Sequence, residues 1–382
     1  MADSQCSRRP PHPPQAGERT DLREEPPIKV STGLGLYAIT DWDEAITLAT
    51  EAERVGVDSF WSAEAWSHDG VTPLAYLAAK TTRIKLGTGI MQVGTRTPAL
   101  AAMTAMSMDQ ITGGRFVLGI GTSGPQVVEG WHGISFDRPV ARTREFVEVI
   151  RKAMHGEVLE YHGDFYDLPL PGGDGKALKA TAPPANVPIL IAALGPQNLR
   201  LTGELADGWL GTSFIPEHAD VFLDPIREGA AAAGRRFEDL DLHAGGTVWF
   251  TDDVEEASKQ LRGGLAFSLG AMGSRRYNFY NAAFSRQGFA DVAREVQDLW
   301  LAGRRAEARE RVPLDMVRLA NLVGTDQMVK DRLRVFRDAG ITTFNCRVPD
   351  QLSLDERIST LGRVVELANE VGAERATAAK QA

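Results

Sequence analysis

From Gly33 onward the chain repeats one unit: a short apolar run of strand length, then a stretch with apolar residues at helical spacing. The strand-like runs are LGLYAI (34–39), SFWSAEA (59–65), IKLGTGIMQ (84–92), RFVLGIGTS (115–123), VPILIAAL (187–194), GWLGTSF (208–214), LHAGGTVWF (242–250) and ITTFNCRV (341–348). Between the first two, residues 41–56 place Ala45, Ile46, Ala49, Ala52 and Val55 on one helical face and stop at Gly56, which suits a helix C-terminus. Strands alternating with helices predict a parallel sheet covered by helices, and eight is the number that closes on itself. The pattern therefore predicts an α/β protein of the (βα)8 TIM-barrel class. Its chemistry is expected at the carboxyl ends of the strands.

The fourth run carries Gly119, Gly121 and Gly124 in the order G-x-G-x-x-G, the spacing of a dinucleotide-binding turn. Context argues against that reading. A nucleotide fingerprint opens its domain and needs an acidic residue at the tip of the next strand. Here the motif sits on the fourth strand, and the acid at the right distance, Glu145, falls within an amphipathic helix. Two readings stand for the glycines. They let a strand end approach a flat ligand, with Thr122, Ser123 and Gly124 forming the rim loop, or they relieve crowding inside the barrel.

The chain has 382 residues, 43% of them apolar and 24% charged, with a formal net charge of -9. An acidic chain without a basic run is not built to follow a phosphate backbone, so no nucleic-acid partner is expected. Residues 1–28 hold Pro10, Pro11, Pro13, Pro14, Pro26 and Pro27 and no signal-like apolar core, and they are read as a disordered tail ahead of one domain over 29–382. No apolar run reaches membrane-spanning length, so no membrane partner is expected. Cys6 and Cys346 form no disulfide framework, which favours a cytoplasmic setting. The seven histidines never pair at metal-ligand spacing, no Ser-His-Asp arrangement is visible, and no metal is expected.

Five segments together resemble the bacterial luciferase-like monooxygenase superfamily, in its branch that uses the deazaflavin coenzyme F420. They are FWSAEAWSHDG, TTRIKLGTGI, ITGGRFVLGIGTSGPQ, PILIAALGPQNLRLTGELADGWLGTS and GTDQMVKDRLRVFRDAGITTF, in family order across residues 33–350. The resemblance implies a barrel with an insertion after the seventh strand, here residues 254–330. It implies a non-proline cis peptide between Gly89 and Ile90 facing the cofactor ring. It implies a phosphate site at ALGPQN, where Leu194, Gly195, Pro196 and Gln197 begin a helix whose free amides suit an anion. Thr212 and Ser213 would add hydroxyls there. Glu64, at the mouth end of the second strand, is expected on the cofactor or as a catalytic acid, with a solvated rim acid as the alternative. Trp66 is a candidate for stacking on ligand, and His132 a candidate pocket acid. Asp207, in ADGW, is read as structural. The implied assembly is a homodimer acting on a small molecule.

Two departures shape the functional expectation. Deazaflavin dehydrogenases of alcohols place a His after the second-strand acid and a Glu in the fourth-strand loop, where this chain has Ala65 and Gly124. Alcohol oxidation needs a base as hydride leaves, whereas reduction of a C=C or C=N bond can draw its proton from water. The chain accordingly resembles the methylenetetrahydromethanopterin reductases, and a deazaflavin-dependent reductase is the leading expectation. An FMN-dependent monooxygenase using oxygen and a non-catalytic cofactor-binding protein are the alternatives. The substrate pocket is expected from residues 157–186 and from the SRRYNFYNAAF stretch of the insertion, where Arg275, Arg276 and Tyr277 could meet an acidic group.

Overall fold

The computed structural model describes residues 28–35, 39–273 and 277–381. The expected tail, apart from Ile28, lies outside these residues, and Ile28 is already packed in the core. Eight parallel strands close a barrel: β1 (Lys29–Gly33), β2 (Ser59–Ser62), β3 (Lys85–Thr88), β4 (Phe116–Gly121), β5 (Ile189–Ala192), β6 (Gly208–Leu210), β7 (Asp241–Phe250) and β8 (Thr343–Arg347). The closing seam pairs Lys29, Val30 and Ser31 with Thr343, Phe344 and Asn345. Helices α1 (Trp42–Val55), α2 (Thr72–Ala78), α3 (Pro98–Thr112), α4 (Pro139–Met154), α5 (Pro196–Leu205), α6 (Asp220–Ala232), α7 (Asp326–Asp338) and α8 (Leu354–Gln381) form the outer layer.

The first strand lies at 29–33, not at 34–39, where Leu34, Gly35 and Ile39 are in no strand and the residues between them are not described. The physical reason is the closed barrel. Lys29, Ser31 and Gly33 form one face of β1 and Val30 the other, so the strand carries little apolar signal and the apolar run beside it looked better. The other seven strands fall within or beside their expected runs.

Strand side chains divide by the two-residue period between an outer, helix-covered layer and the inside of the barrel. Inside, Trp61, Val117 and Leu190 pack with Leu210, and His243 meets the Trp61 ring edge-on at 5.3 Å. Outside, Phe344 packs edge-on against Phe336 of α7 at 5.1 Å. Glu145 of α4 accepts the backbone amides of Asp164, Phe165 and Tyr166 at 2.9, 2.9 and 3.1 Å, which anchors the hairpin of Tyr161–His162 and Asp167–Leu168. The acid that a nucleotide fold would have needed therefore holds a loop. Asp207 is likewise structural, accepting from the Ile189 amide at 2.8 Å and from Arg151 at 2.9 Å.

After β7 the chain leaves the barrel. Helices Val254–Gly270, Phe279–Phe284, Ala290–Leu301, Arg305–Arg311 and Leu314–Ala320 build their own small core around Leu269, Phe284, Val296 and Met316. The short strand Leu322–Gly324 then pairs with the end of β7 and leads into α7.

Candidate functional site at the barrel mouth

The carboxyl ends of β3 and β4 set the floor of the mouth. The Gly89–Ile90 peptide is cis, as the resemblance implied. Gly89 donates its amide to the Ser62 carbonyl at 2.6 Å, and the chain resumes pairing at Met91–Gln92 against Ile120 and Gly121. The fourth-strand glycines divide between the two readings. A Cβ on Gly119 would lie 1.9 Å from the Thr88 carbonyl oxygen, so that glycine relieves crowding. A Cβ on Gly121 would press the Ile90 side chain at 3.0 Å, so Gly121 makes room for the cis segment itself. Gly124 borders open space, where a Cβ would meet only Gln126 Oε1 at 3.7 Å. It caps the short helix Pro125–Val128 without a side-chain hydrogen bond.

Two serines at strand tips adopt left-handed backbone, Ser123 after β4 with φ 55° and Ser213 after β6 with φ 54°. Non-glycine residues are held there only where surrounding contacts dictate it, and such positions cluster at functional rims. For Ser213 the contacts are visible. Gln287 of the insertion donates to its carbonyl at 2.8 Å and accepts the Ile215 amide at 2.9 Å.

Between these tips α5 begins. Gly195 is its N-cap in extended backbone, with no side-chain cap, and Pro196 stands in the first turn. Leu199 returns its amide to the Gly195 carbonyl, so the open amides are those of Gln197 and Asn198, and they point out of the helix start where an anion is favoured. A Cβ on Gly195 would meet nothing within 4 Å. Asn198 Oδ1 is buried without a hydrogen-bond partner. Arg286, from the insertion, donates to the Leu194 carbonyl at 2.5 Å and has no carboxylate partner among the described residues. Thr212 is half-buried one residue before Ser213.

Glu64 is not a free acid. Its side chain is only 8% exposed. Arg96 donates to both of its oxygens at 2.5 and 2.9 Å, and the amides of Gly70 and Gln92 donate at 2.7 and 3.2 Å. A carboxylate so fully supplied with donors organises the loop after β2 against β3. His132 is exposed, and its backbone amide is tied to the Val127 carbonyl; the structure gives the ring no partner among the other candidates. His68 accepts the Ile39 amide at 3.0 Å, and Trp66 is exposed. Arg275 and Arg276 lie outside the described residues. No cluster of three or more metal-ligating side chains occurs among the described residues.

Sequence reasoning did not single out Arg96, Arg286 or Arg347, and reached Tyr280 only as part of the stretch at residues 274–284. Arg347 is the last residue of β8 and was legible by position, because strand carboxyl ends of such barrels carry the chemistry. Arg286 and Tyr280 come from the insertion, whose sequence has no period tied to the barrel.

A closed parallel barrel with a glycine-lined mouth and an uncapped helix start defines an enzyme-like cofactor barrel. The chain belongs to the luciferase-like monooxygenase family, whose model matches residues 26–343. It is 38% identical over 324 residues to a Mycobacterium tuberculosis protein named as a coenzyme F420-dependent oxidoreductase, covering 82% of this chain and 93% of that one. It is 29% identical over 315 residues to the 5,10-methylenetetrahydromethanopterin reductase of Archaeoglobus fulgidus, covering 82% and 92%. In structure it matches the coenzyme F420-dependent tetrahydromethanopterin reductase of Methanopyrus kandleri with a TM-score of 0.74 and 22% identity, over 89% of this chain and 99% of that one.

Proposed function

We propose that the protein is a coenzyme F420-dependent oxidoreductase that works as a reductase, passing hydride from the reduced deazaflavin to a C=C or C=N bond of a small molecule. The observation that carries this is the 38% identity, along nearly the whole length, to a relative named for F420-dependent oxidoreduction. The residues present fit the cofactor in two respects. The helix start at Gly195 has free amides and open space for a phosphate, and Gly124 borders open space that leaves room for a flat ring. When bound, the deazaflavin supplies the hydride chemistry.

In this reading Gly195, Pro196, Gln197 and Leu194 hold the phosphate of the cofactor side chain, with Thr212 beside them and Arg286 adding positive charge. Gly89, Ile90, Thr122, Ser123 and Gly124 border the ring. Reduction is favoured over alcohol oxidation because Glu64 is committed to Arg96 and His68 to a backbone amide, which leaves neither free as a base. A homodimer is part of the proposal, supported by the exposed apolar residues Leu100, Met103 and Ile111 along the outer face of α3, and a monomer mass by ultracentrifugation would exclude it. No helix among the described residues is long and apolar enough to cross a membrane. We also place the protein in the cytoplasm, on the single buried, unpaired Cys346 among those residues; secretion of the native protein would exclude this.

The test is separate titration of the apoprotein with the deazaflavin and with FMN. Deazaflavin binding with a Kd of about 1 µM to tens of µM, and much weaker FMN binding, is expected. Tighter FMN binding, with oxygen-dependent turnover, would instead support the monooxygenase. Binding without any turnover of unsaturated substrates would support a carrier.

A further inference from the structure

We propose that Gln287 of the insertion is the positioning residue of the phosphate site: it fixes the backbone of the β6 tip so that Thr212 and Ser213 offer their hydroxyls to the coenzyme phosphate. This rests on the oxidoreductase reading and adds to it the residue that sets the shape of the same site.

The β5 and β6 tips leave the barrel side by side. Ile191 is paired with Trp209, and the Trp209 Nε1 donates to the Ala193 carbonyl at 2.9 Å. On the β5 side stands the helix start with its open amides, where Asn198, only 8% exposed, has an Oδ1 without a partner. On the β6 side Thr212 and Ser213 are half-buried, and neither hydroxyl has a hydrogen-bond partner among the described residues. Backbone amides and hydroxyls are neutral donors suited to a phosphate, provided that the chain carrying them is held still.

Ser213 needs such holding. Its φ of 54° is disfavoured for a residue with a Cβ and persists only where neighbours impose it. The two residues after it are claimed by different cores. Phe214 packs against Trp209 and Phe222 in the barrel layer, with ring centroids at 5.8 and 5.6 Å, while Ile215 belongs to the small core of the insertion. Gln287 spans this turn. Its Nε2 donates to the Ser213 carbonyl at 2.8 Å and to the Ala283 carbonyl at 3.1 Å, and its Oε1 accepts the Ile215 amide at 2.9 Å. With both donors and the acceptor used in a side chain 1% exposed, any other rotamer would strand buried polar groups. The tie ends on the carbonyl of Ser213 itself, the residue whose backbone has to be held and whose hydroxyl is free. Arg286, next in the chain, donates to the Leu194 carbonyl on the β5 side, so consecutive residues of the insertion hold both walls of the site.

The experiment titrates the full chain, by fluorescence, with the intact deazaflavin and with its core lacking the phosphate and acidic tail. A second arm uses FMN and riboflavin, which differ by the phosphate alone. Gln287→Met keeps the length of the side chain and removes all three bonds. It should weaken the phosphorylated ligand about five- to fiftyfold and leave its phosphate-free counterpart within about twofold, which also shows that the variant is folded. Gln260→Met, at an exposed glutamine bonded to Glu256 on the insertion helix Val254–Gly270, should change neither. Thr212→Val should weaken the phosphorylated ligand several-fold in the parent but add little in the Gln287→Met background, because the hydroxyl is then already displaced. The proposal is overturned if Gln287→Met binds the phosphorylated ligand as tightly as the parent, or if it loses both forms of the ligand equally. It is also overturned if the Thr212→Val and Gln287→Met losses simply add. If the parent prefers FMN to the deazaflavin, the functional reading falls while FMN and riboflavin still decide the role of Gln287; if it binds neither coenzyme, both fall.

Discussion

Gly195 is where a single side chain would tell most about the mouth. Its backbone, at φ -82° and ψ 147°, is open to any residue, and an added Cβ meets nothing, so Gly195→Asp should leave the fold intact. The new carboxylate would stand before the free amides of Gln197 and Asn198 and repel a phosphate there. Two like charges about 4 Å apart at a partly exposed site cost ~1–4 kcal/mol, about a fivefold to several-hundredfold loss of deazaflavin affinity. Arg200→Asp, one turn onward, is the control. That arginine is exposed and paired with Glu228, and its replacement should weaken binding less. Equal affinity of folded Gly195→Asp and parent, by fluorescence titration, would move the phosphate elsewhere. At this scale sequence served unevenly. Gly89 and Ile90 were legible because a family pattern marks them, whereas the commitment of Glu64 was not, since Arg96 lies 32 positions away and only folding brings the two together.

The insertion is tied to the barrel rim by one irregular turn, Ser285–Phe289, in which Gly288 adopts φ 91°. Such wide turns inside helices often serve to aim side chains, and here Arg286 reaches the β5 tip while Gln287 reaches the β6 tip. Gln287 is 1% exposed and makes both contacts with the β6 loop through its amide. Gln287→Ala should leave the Ile215 amide buried and unpaired, costing about 1–3 kcal/mol. Hydrogen exchange should then accelerate at residues 213–215 and in the insertion, with the barrel strands unaffected; unchanged protection at Ile215 would show that this side chain does not hold the loop. Elements differed in legibility for a reason that β1 shows clearly. A strand or helix with one apolar face announces its period, but β1 turns Lys29 and Ser31 inward, so its pattern resembles a loop. The turn at 285–289 gave no signal, because no short-range pattern encodes a wide helical turn.

Closure of the barrel depends on the strands most distant in sequence, β1 and β8, and on Asp241 at the foot of β7. Asp241 accepts from Thr342 and Thr343 of the β8 segment at 2.6 and 3.0 Å, stands 3.9 Å from Lys29 of β1, and lies 3.2 Å from His243 Nε2. Burial opposes its ionisation, but His243, Lys29 and Thr342 more than offset this and hold the carboxyl well below the usual carboxylate range. A depressed folded pKa gives stability that is present above the unfolded value of about 4 and is lost as pH falls toward the folded one. Asp241→Asn should therefore destabilise the protein by about 2 kcal/mol at pH 7, read by urea unfolding. The gap to the parent should narrow only below about pH 4. A gap that stayed constant from pH 7 to 3 would mean that the carboxylate charge contributes nothing to the seam. The eightfold alternation was legible because each unit buries its own face, while this cross-chain lock was not, because its members are scattered from Lys29 to Thr343.

The position of Arg286 and Gln287, adjacent in one continuous stretch, bears on how such a scaffold could be re-engineered. Arg286 reaches the β5 tip and Gln287 the β6 tip, so a graft of the insertion from a cousin would exchange both rim contacts at once. The loops after β5 and β6 are thus not separable from the identity of the insertion. Directed evolution within the insertion would need to preserve residues 285–289, or its libraries would loosen both strand tips before changing anything else.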